Sequence, residues 1–398
     1  MNRPPVEVAD IIRAAGKSFI EKNRSWLTGL HRKVLSAIER CRTAALGGHK
    51  DQCSRCGYQT AISYNSCRNR HCPKCQTNAR DKWLAARQRE LLAVPYVHVV
   101  FTLPHELAPL ALHNKKILYA LLFRASAATL LEIAADRKHL GAEIGFLSVL
   151  HTWGQNLLLH PHVHCVIPAG GLSPDHQRWV HPRYPFFLPV KVLSRVFRGK
   201  FVAGLKQAFQ RGDLRLPGSL QPLKRREAFY SFLRTLFRQD WVVYAKPPFG
   251  GPEHVLHYLA RYTHRVAISN HRLVGFHDGK VTFRWKDYAH GSKSRLMTLS
   301  AEEFLRRFLL HVLPHAFVRI RFFGLLANRR RATLLPLCRT LLEGSSSLHT
   351  APPPPLQNDK SSGSTCPLCG GPMVVIERLT ATQIFIELAR HVAIADTS

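Results

Sequence analysis

The chain has 398 residues, and an apolar content of 45% excludes an intrinsically disordered protein. Lysine and arginine total 57 against 25 aspartate and glutamate residues, which gives a formal net charge of +32. This excess predicts a polyanionic partner, because lysine and arginine contacts to phosphates release condensed counterions. We expect a nucleic acid, with a ribosome-associated protein and a membrane-surface protein as the alternatives.

The first fifty residues place apolar side chains at helical spacing and predict helices. The terminus Met1–Asp10 is acidic and contains proline, unlike a secretory signal, so a cytoplasmic location is expected. The most apolar stretch, Ile117–Ala135, is interrupted by Arg124 and Glu132. It therefore predicts a buried helix rather than a membrane span.

Two Cys-x-x-Cys pairs, separated by fifteen residues, follow the first helices. Each pair forms a tight turn that places two thiolates on one metal ion, so the spacing predicts one structural zinc site. The preferred ligands are Cys53, Cys56, Cys72 and Cys75. Three further side chains are candidates to replace one ligand or to build a second site: Cys67, His71 and His49.

Basic residues interleave with these cysteines and predict either phosphate contacts or a merely solvated basic face. The candidates for DNA binding are Arg68, Arg70 and Lys74. A short basic helix is predicted at Asp81–Ala93 and a strand at Tyr96–Leu103.

Alternating helical and strand-like segments fill the rest of the chain to about residue 340. Helices are predicted at Leu107–Arg137, at Glu253–Arg265 and over most of Lys191–Arg238. Strands are predicted at Ile144–Trp153, His162–Pro168 and Trp241–Ala245. A hairpin is predicted where Leu273–His277 and Lys280–Trp285 flank Asp278 and Gly279.

A His-x-His pattern lies in one predicted strand. His162 and His164 are two residues apart, so their imidazoles point to one side of the strand while Val163 points to the other. The pair predicts a divalent-cation site whose open side can polarise a scissile phosphate. Gln155 is the candidate third ligand, although capping a turn is an equally open role for it.

Two tyrosines lie four residues apart in the predicted helix Glu253–Arg265. Tyr258 and Tyr262 share one helical face, which suits paired nucleophiles in phosphoryl transfer. Arg261, Arg265 or His264 is then available to steady the phosphate or to assist proton transfer. The alternative is that both rings belong to the core.

Three stretches in this order resemble the two-tyrosine HUH-class transposases of rolling-circle insertion sequences: SYNSCRNRHCPKCQ (Ser63–Gln76), HPHVHCVIPAGGL (His160–Leu172) and YLARYTHRVAISN (Tyr258–Asn270). The resemblance spans about residues 20–330. It implies Tyr258 and Tyr262 as nucleophiles, with Mg²⁺ or Mn²⁺ on His162 and His164. It also implies cleavage and transfer of single-stranded DNA through a 5′-phosphotyrosine, on a palm-like sheet.

The fold class expected is α+β. Residues 1–93 form a helical and zinc-binding DNA-binding unit, and residues 94–340 form a nuclease domain with a mostly antiparallel central sheet flanked by helices. Residues 341–364 are rich in serine and proline and predict a disordered linker. In the tail, 365–398, Cys366 and Cys369 are either half of a zinc site completed elsewhere, with Cys338 as one candidate, or a remnant.

Two other functions stay open at this stage. A plasmid replication initiator or relaxase shares the chemistry, and a non-catalytic zinc-ribbon DNA-binding protein needs neither the histidines nor the tyrosines for cleavage. No membrane partner and no nucleotide cofactor are expected.

Overall fold

The computed structural model describes residues 4–75, 83–184, 187–246, 267–287, 291, 293–343 and 365–395. The predicted helix Glu253–Arg265 lies outside these residues, and so does 344–364 of the predicted linker.

Helices and mostly antiparallel strands alternate through the described residues, which confirms the α+β class. The helices are α1 (Val8–Lys22), α2 (Gly29–Glu39), α3 (Ala108–His113), α4 (Lys115–Ala135), α5 (Val190–Gln210), α6 (Arg226–Thr235), α7 (Ala301–Leu310), α8 (Asn328–Glu343) and α9 (Ala381–Ala395). The strands are β1 (Gly48–Cys53), β2 (Ser63–Tyr64), β3 (Tyr96–Thr102), β4 (Gly145–Trp153), β5 (Leu159–Pro168), β6 (Gly171–Leu172), β7 (Trp179–Val180), β8 (Val243–Lys246), β9 (Leu273–His277), β10 (Lys280–Asp287), β11 (Lys293–Ser300), β12 (Ile320–Gly324) and β13 (Met373–Leu379).

A five-stranded sheet in the order β12-β4-β5-β3-β8 forms the centre, and its neighbouring strands are all antiparallel. One face is apolar because alternate residues of β5, Val163, Cys165 and Ile167, are fully buried in the main core. The helices α4 and α5 contribute to that same core. On the other face, Leu147, Val149 and Val166 pack into a second apolar core, and polar side chains lie towards the turn between β4 and β5.

Helix α4 packs inside the protein, as the sequence predicted. Within the described residues it is the one helix long and apolar enough to cross a membrane, and 67% of its apolar window is buried. Its buried side chains include the consecutive residues Leu121, Leu122 and Phe123, which point in different directions around the helix. A helix apolar on all sides is typical of a core that encloses it.

The predicted hairpin around Asp278 and Gly279 is also confirmed. Both residues have left-handed backbone angles, with φ of 48° and 69°, which a two-residue turn of this kind requires. The hairpin joins β9 to β10, and β11 completes a three-stranded sheet. Helices α1, α2 and α7 share one core with this sheet, so the N-terminal helices pack on the second half of the chain.

The C-terminal segment returns to the N-terminal unit. Strand β13 pairs with β1 from Gly48↔Leu379 to Cys53↔Met373, in a sheet of order β13-β1-β2. Lys50 of β1 reinforces the pairing through ion pairs to Glu377 and Glu387, at 3.2 and 2.8 Å. The strands β1 and β13 are more than 300 residues apart in the chain, so no local sequence pattern predicts that they pair.

Replacing Gly324 by alanine is expected to destabilise the central sheet by about 3 kcal/mol or more. Gly324 ends β12 with φ of 61°, and a Cβ atom there would overlap the carbonyl oxygen of Ile144. The matched control is Gly199→Ala in α5, where a Cβ meets no atom within 4 Å, and where stability should stay or rise by about 0.5–1 kcal/mol. Urea unfolding of both variants measures the difference, and equal losses would contradict the assignment.

Candidate metal and nuclease site

Three histidines meet on the face of the central sheet opposite the main core. His162 and His164 alternate along β5, and His151 lies on β4 directly opposite His162 in the antiparallel register. Directly opposed residues of an antiparallel pair share a face, so all three imidazoles point the same way. We call these three residues the histidine cluster.

The cluster is tight enough to surround one ion. One ligand nitrogen from each ring lies within 4.8 Å of the others. Ring centroids are 4.3 Å apart for His151 and His164 and 4.9 Å for His162 and His164. A metal ion bound at about 2.1 Å from each of three nitrogens fits such spacing.

Outer contacts orient two of these rings. His162 Nδ1–H donates to the His160 carbonyl at 2.6 Å, which directs Nε2 as the ligand atom. His98 on β3 hydrogen-bonds His164, with 2.8 Å between Nε2 of His98 and Nδ1 of His164. Such partners fix the tautomer and the ring angle of metal-binding histidines.

His162 and His164 of the cluster are neutral at pH 7. Burial lowers the pKa of His162 to about 4, with the nearby His160 adding to the effect. Burial, followed by the charges of His151, His162 and His98 when protonated, holds the pKa of His164 well below its usual value. A neutral imidazole is the form that binds a metal ion.

Sequence reasoning missed His151. It lies inside the predicted strand Ile144–Trp153, and the hairpin register with His162 was the signal that could have found it. Gln155, the predicted third ligand, lies in the turn between β4 and β5. Its main-chain carbonyl accepts a hydrogen bond from the Arg272 guanidinium. The role of its side chain stays a prediction.

The five remaining residues of the predicted catalytic centre lie outside the described residues: Tyr258, Tyr262, Arg261, His264 and Arg265. Their positions relative to the histidine cluster are not part of the described geometry.

The cysteines form two separate groups rather than the single predicted set. The knuckle site comprises Cys41, Cys67, Cys72 and Cys75. The ribbon site comprises Cys53, Cys56, Cys366 and Cys369. The grouping of Cys53 and Cys56 with Cys72 and Cys75 is therefore corrected, because each pair has nearer thiols elsewhere in the fold.

In the knuckle site, Cys41 follows α2 while the other three cysteines come from the loop after β2. Cys75 Sγ lies 3.4 Å from Cys41 Sγ and 3.5 Å from Cys67 Sγ. The thiol hydrogen bond from Cys67 lowers the pKa of Cys41 to about 7. Thiolate is the form of cysteine that binds zinc.

In the ribbon site, the sulfur atoms are 3.5 Å apart for Cys53 and Cys369 and 3.6 Å apart for Cys56 and Cys366. Tetrahedral zinc with bonds of about 2.3 Å places sulfurs about 3.8 Å apart. The backbone N–H of Cys56 is the main cause that lowers the pKa of Cys53 to about 6.

The other candidate ligands have structural contacts. His49 lies 3.5 Å from the Asp51 carboxylate, and Cys338 lies on the buried face of α8. His71 is buried and accepts a hydrogen bond from the Leu313 N–H, 3.1 Å away. Burial lowers the pKa of His71 to about 3, so it is neutral. His71 therefore anchors the knuckle site to the segment after α7.

The predicted DNA-binding residues near the knuckle site differ in their surroundings. Arg70 donates to the Phe317 carbonyl at 2.7 Å, and Lys74 pairs with Glu7 at 2.6 Å. Both therefore contribute contacts within the fold. Arg68 is exposed on the loop, which suits a phosphate contact.

Residues 145–333 match the protein family described as "Putative transposase", and residues 11–103 match "Transposase zinc-binding domain". The "Putative transposase y4qJ" of Sinorhizobium fredii (strain NBRC 101917 / NGR234) is 53% identical over 385 residues, which cover 95% of this chain and 96% of that protein. The "Transposase for insertion sequence element IS801" of Pseudomonas savastanoi pv. phaseolicola is 28% identical over 339 residues, covering 80% of this chain and 78% of that protein. No solved structure matches the chain.

The two matched regions agree with the geometry. The histidine cluster lies in the region 145–333, and the zinc-binding region holds the knuckle site and half of the ribbon site. Structural zinc is therefore supported by both the fold and the family, and DNA is the partner of such a protein. This chain belongs to the transposases of rolling-circle insertion sequences and carries the zinc-binding domain of that family at its N-terminus.

Proposed function

We propose that this transposase cleaves single-stranded DNA at the ends of its element and transfers the strand through a 5′-phosphotyrosine. The observation that carries the proposal is the histidine cluster, with three ligand nitrogens within 4.8 Å on neighbouring strands. A transposase that holds a divalent ion at such a site has the means to activate a phosphodiester.

His151, His162 and His164 are the residues that we propose as metal ligands. Their donor set fits a first-row transition ion better than Mg²⁺, because imidazole nitrogen suits such ions while Mg²⁺ prefers oxygen. Of the two ions expected from the sequence, we therefore propose Mn²⁺. When bound, the ion polarises the scissile phosphate as a Lewis acid.

Tyr258 or Tyr262 supplies the nucleophile in this proposal. Its phenolic oxygen attacks phosphorus, the bond from phosphorus to the 3′ oxygen breaks, and the proton lost by the phenol ends on the new 3′-hydroxyl. Arg261 and Arg265 offset the charge on the phosphate. The phosphodiester energy is kept in the tyrosine ester, so the second tyrosine can repeat the step without a nucleotide cofactor.

In this proposal the domain boundary separates DNA binding from the cleavage chemistry. Residues 1–93 bind DNA through the zinc-bearing unit and Arg68, and residues 94–340 carry the nuclease chemistry. The net charge of +32 supports tight electrostatic binding to DNA phosphates, and a cytoplasmic location is part of the proposal.

Purified protein is expected to form a covalent band on a denaturing gel with labelled single-stranded DNA from the element's end in the presence of Mn²⁺. EDTA should abolish the band, and Mg²⁺ at equal concentration should give less of it. A duplex of the same sequence is the matched substrate control and should react more weakly. Retarded DNA on a native gel without a covalent band under any ion would favour the non-catalytic DNA-binding protein instead.

A further inference from the structure

Half of the ribbon site comes from outside both matched regions. Cys366 and Cys369 lie beyond residue 333, where the matched region 145–333 ends. We propose that the ribbon site binds its own zinc ion, separate from that of the knuckle site, and that this ion fastens the C-terminal segment 365–395 to the N-terminal unit. The chain would then hold two structural zinc ions.

The two halves of the ribbon site have the same local structure. Each is a Cys-x-x-Cys-Gly turn in which the glycine N–H donates to the carbonyl of the first cysteine. The distances are 3.1 Å from Gly57 to Cys53 and 2.9 Å from Gly370 to Cys366. Both glycines have left-handed backbone angles, with φ of 73° and 68°. Facing turns of this kind are the usual framework of a four-cysteine zinc site.

Backbone groups close around the sulfurs as they do around a bound thiolate. The N–H groups of Arg55 and Cys56 point at Cys53 Sγ, at 3.4 and 3.5 Å. A Cβ atom on Gly371 would lie 3.1 Å from Cys53 Sγ and 3.2 Å from Cys369 Sγ. The close approach of the chain to both sulfurs therefore requires glycine at this position.

The distances between the sulfur atoms also favour zinc binding over disulfide formation. A disulfide bond is about 2.05 Å long. The ribbon site instead holds two pairs at 3.5 and 3.6 Å, with all four sulfurs within 4.8 Å of one another. Four thiols around one point suit one tetrahedral ion, and their protons leave for solvent as it binds.

Hydrogen bonds and strand pairing connect the ribbon site to β13, so a bound ion would stabilise the pairing of the C-terminal segment. The Ser54 N–H donates to the Pro372 carbonyl at 3.0 Å, directly before β13 begins. The paired strands β1 and β13 extend from the ribbon site, so the ion lies at one end of their ladder. Cys53 and Cys369 are 316 residues apart, so the ion offsets the entropy lost in closing a very long loop.

Metal analysis of the full chain tests the proposal. The wild-type protein is expected to hold two zinc ions per chain, and the double variant Cys366→Ser/Cys369→Ser one. The matched control is Cys338→Ser, which changes a buried cysteine outside both sites and should keep two ions. One ion in the wild type, or two in the double variant, would overturn the proposal.

Hydrogen exchange during chelation provides a second readout on the unaltered protein, independent of variant folding. Loss of the ribbon-site ion should speed exchange in β13 by about tenfold or more while β3, in the central sheet, stays protected. Loss of both zinc ions without any change in β13 would show that zinc does not fasten this segment. Neither measurement uses DNA cleavage, so failure here is distinguishable from failure of the proposed nuclease chemistry.

Discussion

Changing both Tyr258 and Tyr262 to phenylalanine is expected to abolish the covalent protein–DNA band and to lower strand cleavage by about 10³-fold or more. Phenylalanine keeps the ring and removes only the phenolic oxygen, so a purely structural role of either ring would survive the change. The band on a denaturing gel with Mn²⁺ and labelled single-stranded DNA measures the effect.

The single variants rank the two tyrosines, since the one that attacks first should lose the band on its own. Tyr230→Phe on α6 is the matched control, because its hydroxyl contacts Gln210, and it should label as the wild type does. Native-gel binding should be unchanged in every variant. A double variant that still forms the covalent band would remove both tyrosines from the mechanism.

Replacing any member of the histidine cluster by alanine is expected to lower adduct formation by roughly 10²-fold or more, because Lewis-acid activation contributes several kcal/mol to such steps. His151→Ala is the informative variant, since the structure identified this residue and the sequence did not. Calorimetric titration with Mn²⁺ should show the matching loss of affinity. His98→Ala should weaken Mn²⁺ binding by about 10–100-fold, because it removes the hydrogen bond that orients His164.

Gln155→Ala is the matched control for the cluster and is expected to keep both Mn²⁺ binding and adduct formation. Thermal unfolding of each variant separates the loss of a ligand from the loss of the buried packing around His151 and His164. Full activity in His151→Ala together with loss in Gln155→Ala would restore the glutamine as third ligand.

Local sequence patterns predicted the strands and turns whose formation depends on residues close together in the chain. The β-branched run at Tyr96–Leu103 became β3, which ends at Thr102, and the Asp278–Gly279 turn set the β9–β10 hairpin. The His-x-His spacing placed two imidazoles on one face of β5 because side chains alternate along any strand. Strand β5 begins at Leu159, earlier than predicted, because Leu159 pairs with Trp153 across the turn.

The features that were missed depend on distant pairing. Cys41 joins the knuckle site from the end of α2, with no Cys-x-x-Cys spacing to mark it. Cys56 contacts Cys366, which lies 310 residues further along the chain, and no local sequence pattern predicts that contact. The same holds for Arg70 and Lys74, whose contacts to Phe317 and Glu7 exist only once the chain has folded.

The pairing of β1 with β13 has a consequence for the order of synthesis. About 320 residues separate these strands, so at 5–20 residues per second the ribosome adds β13 roughly 15–60 s after β1. The zinc-binding N-terminal unit is therefore translated first, but its sheet is completed last. A copy truncated before Met373 leaves β1 with an unpaired edge, which is a template for association with other chains.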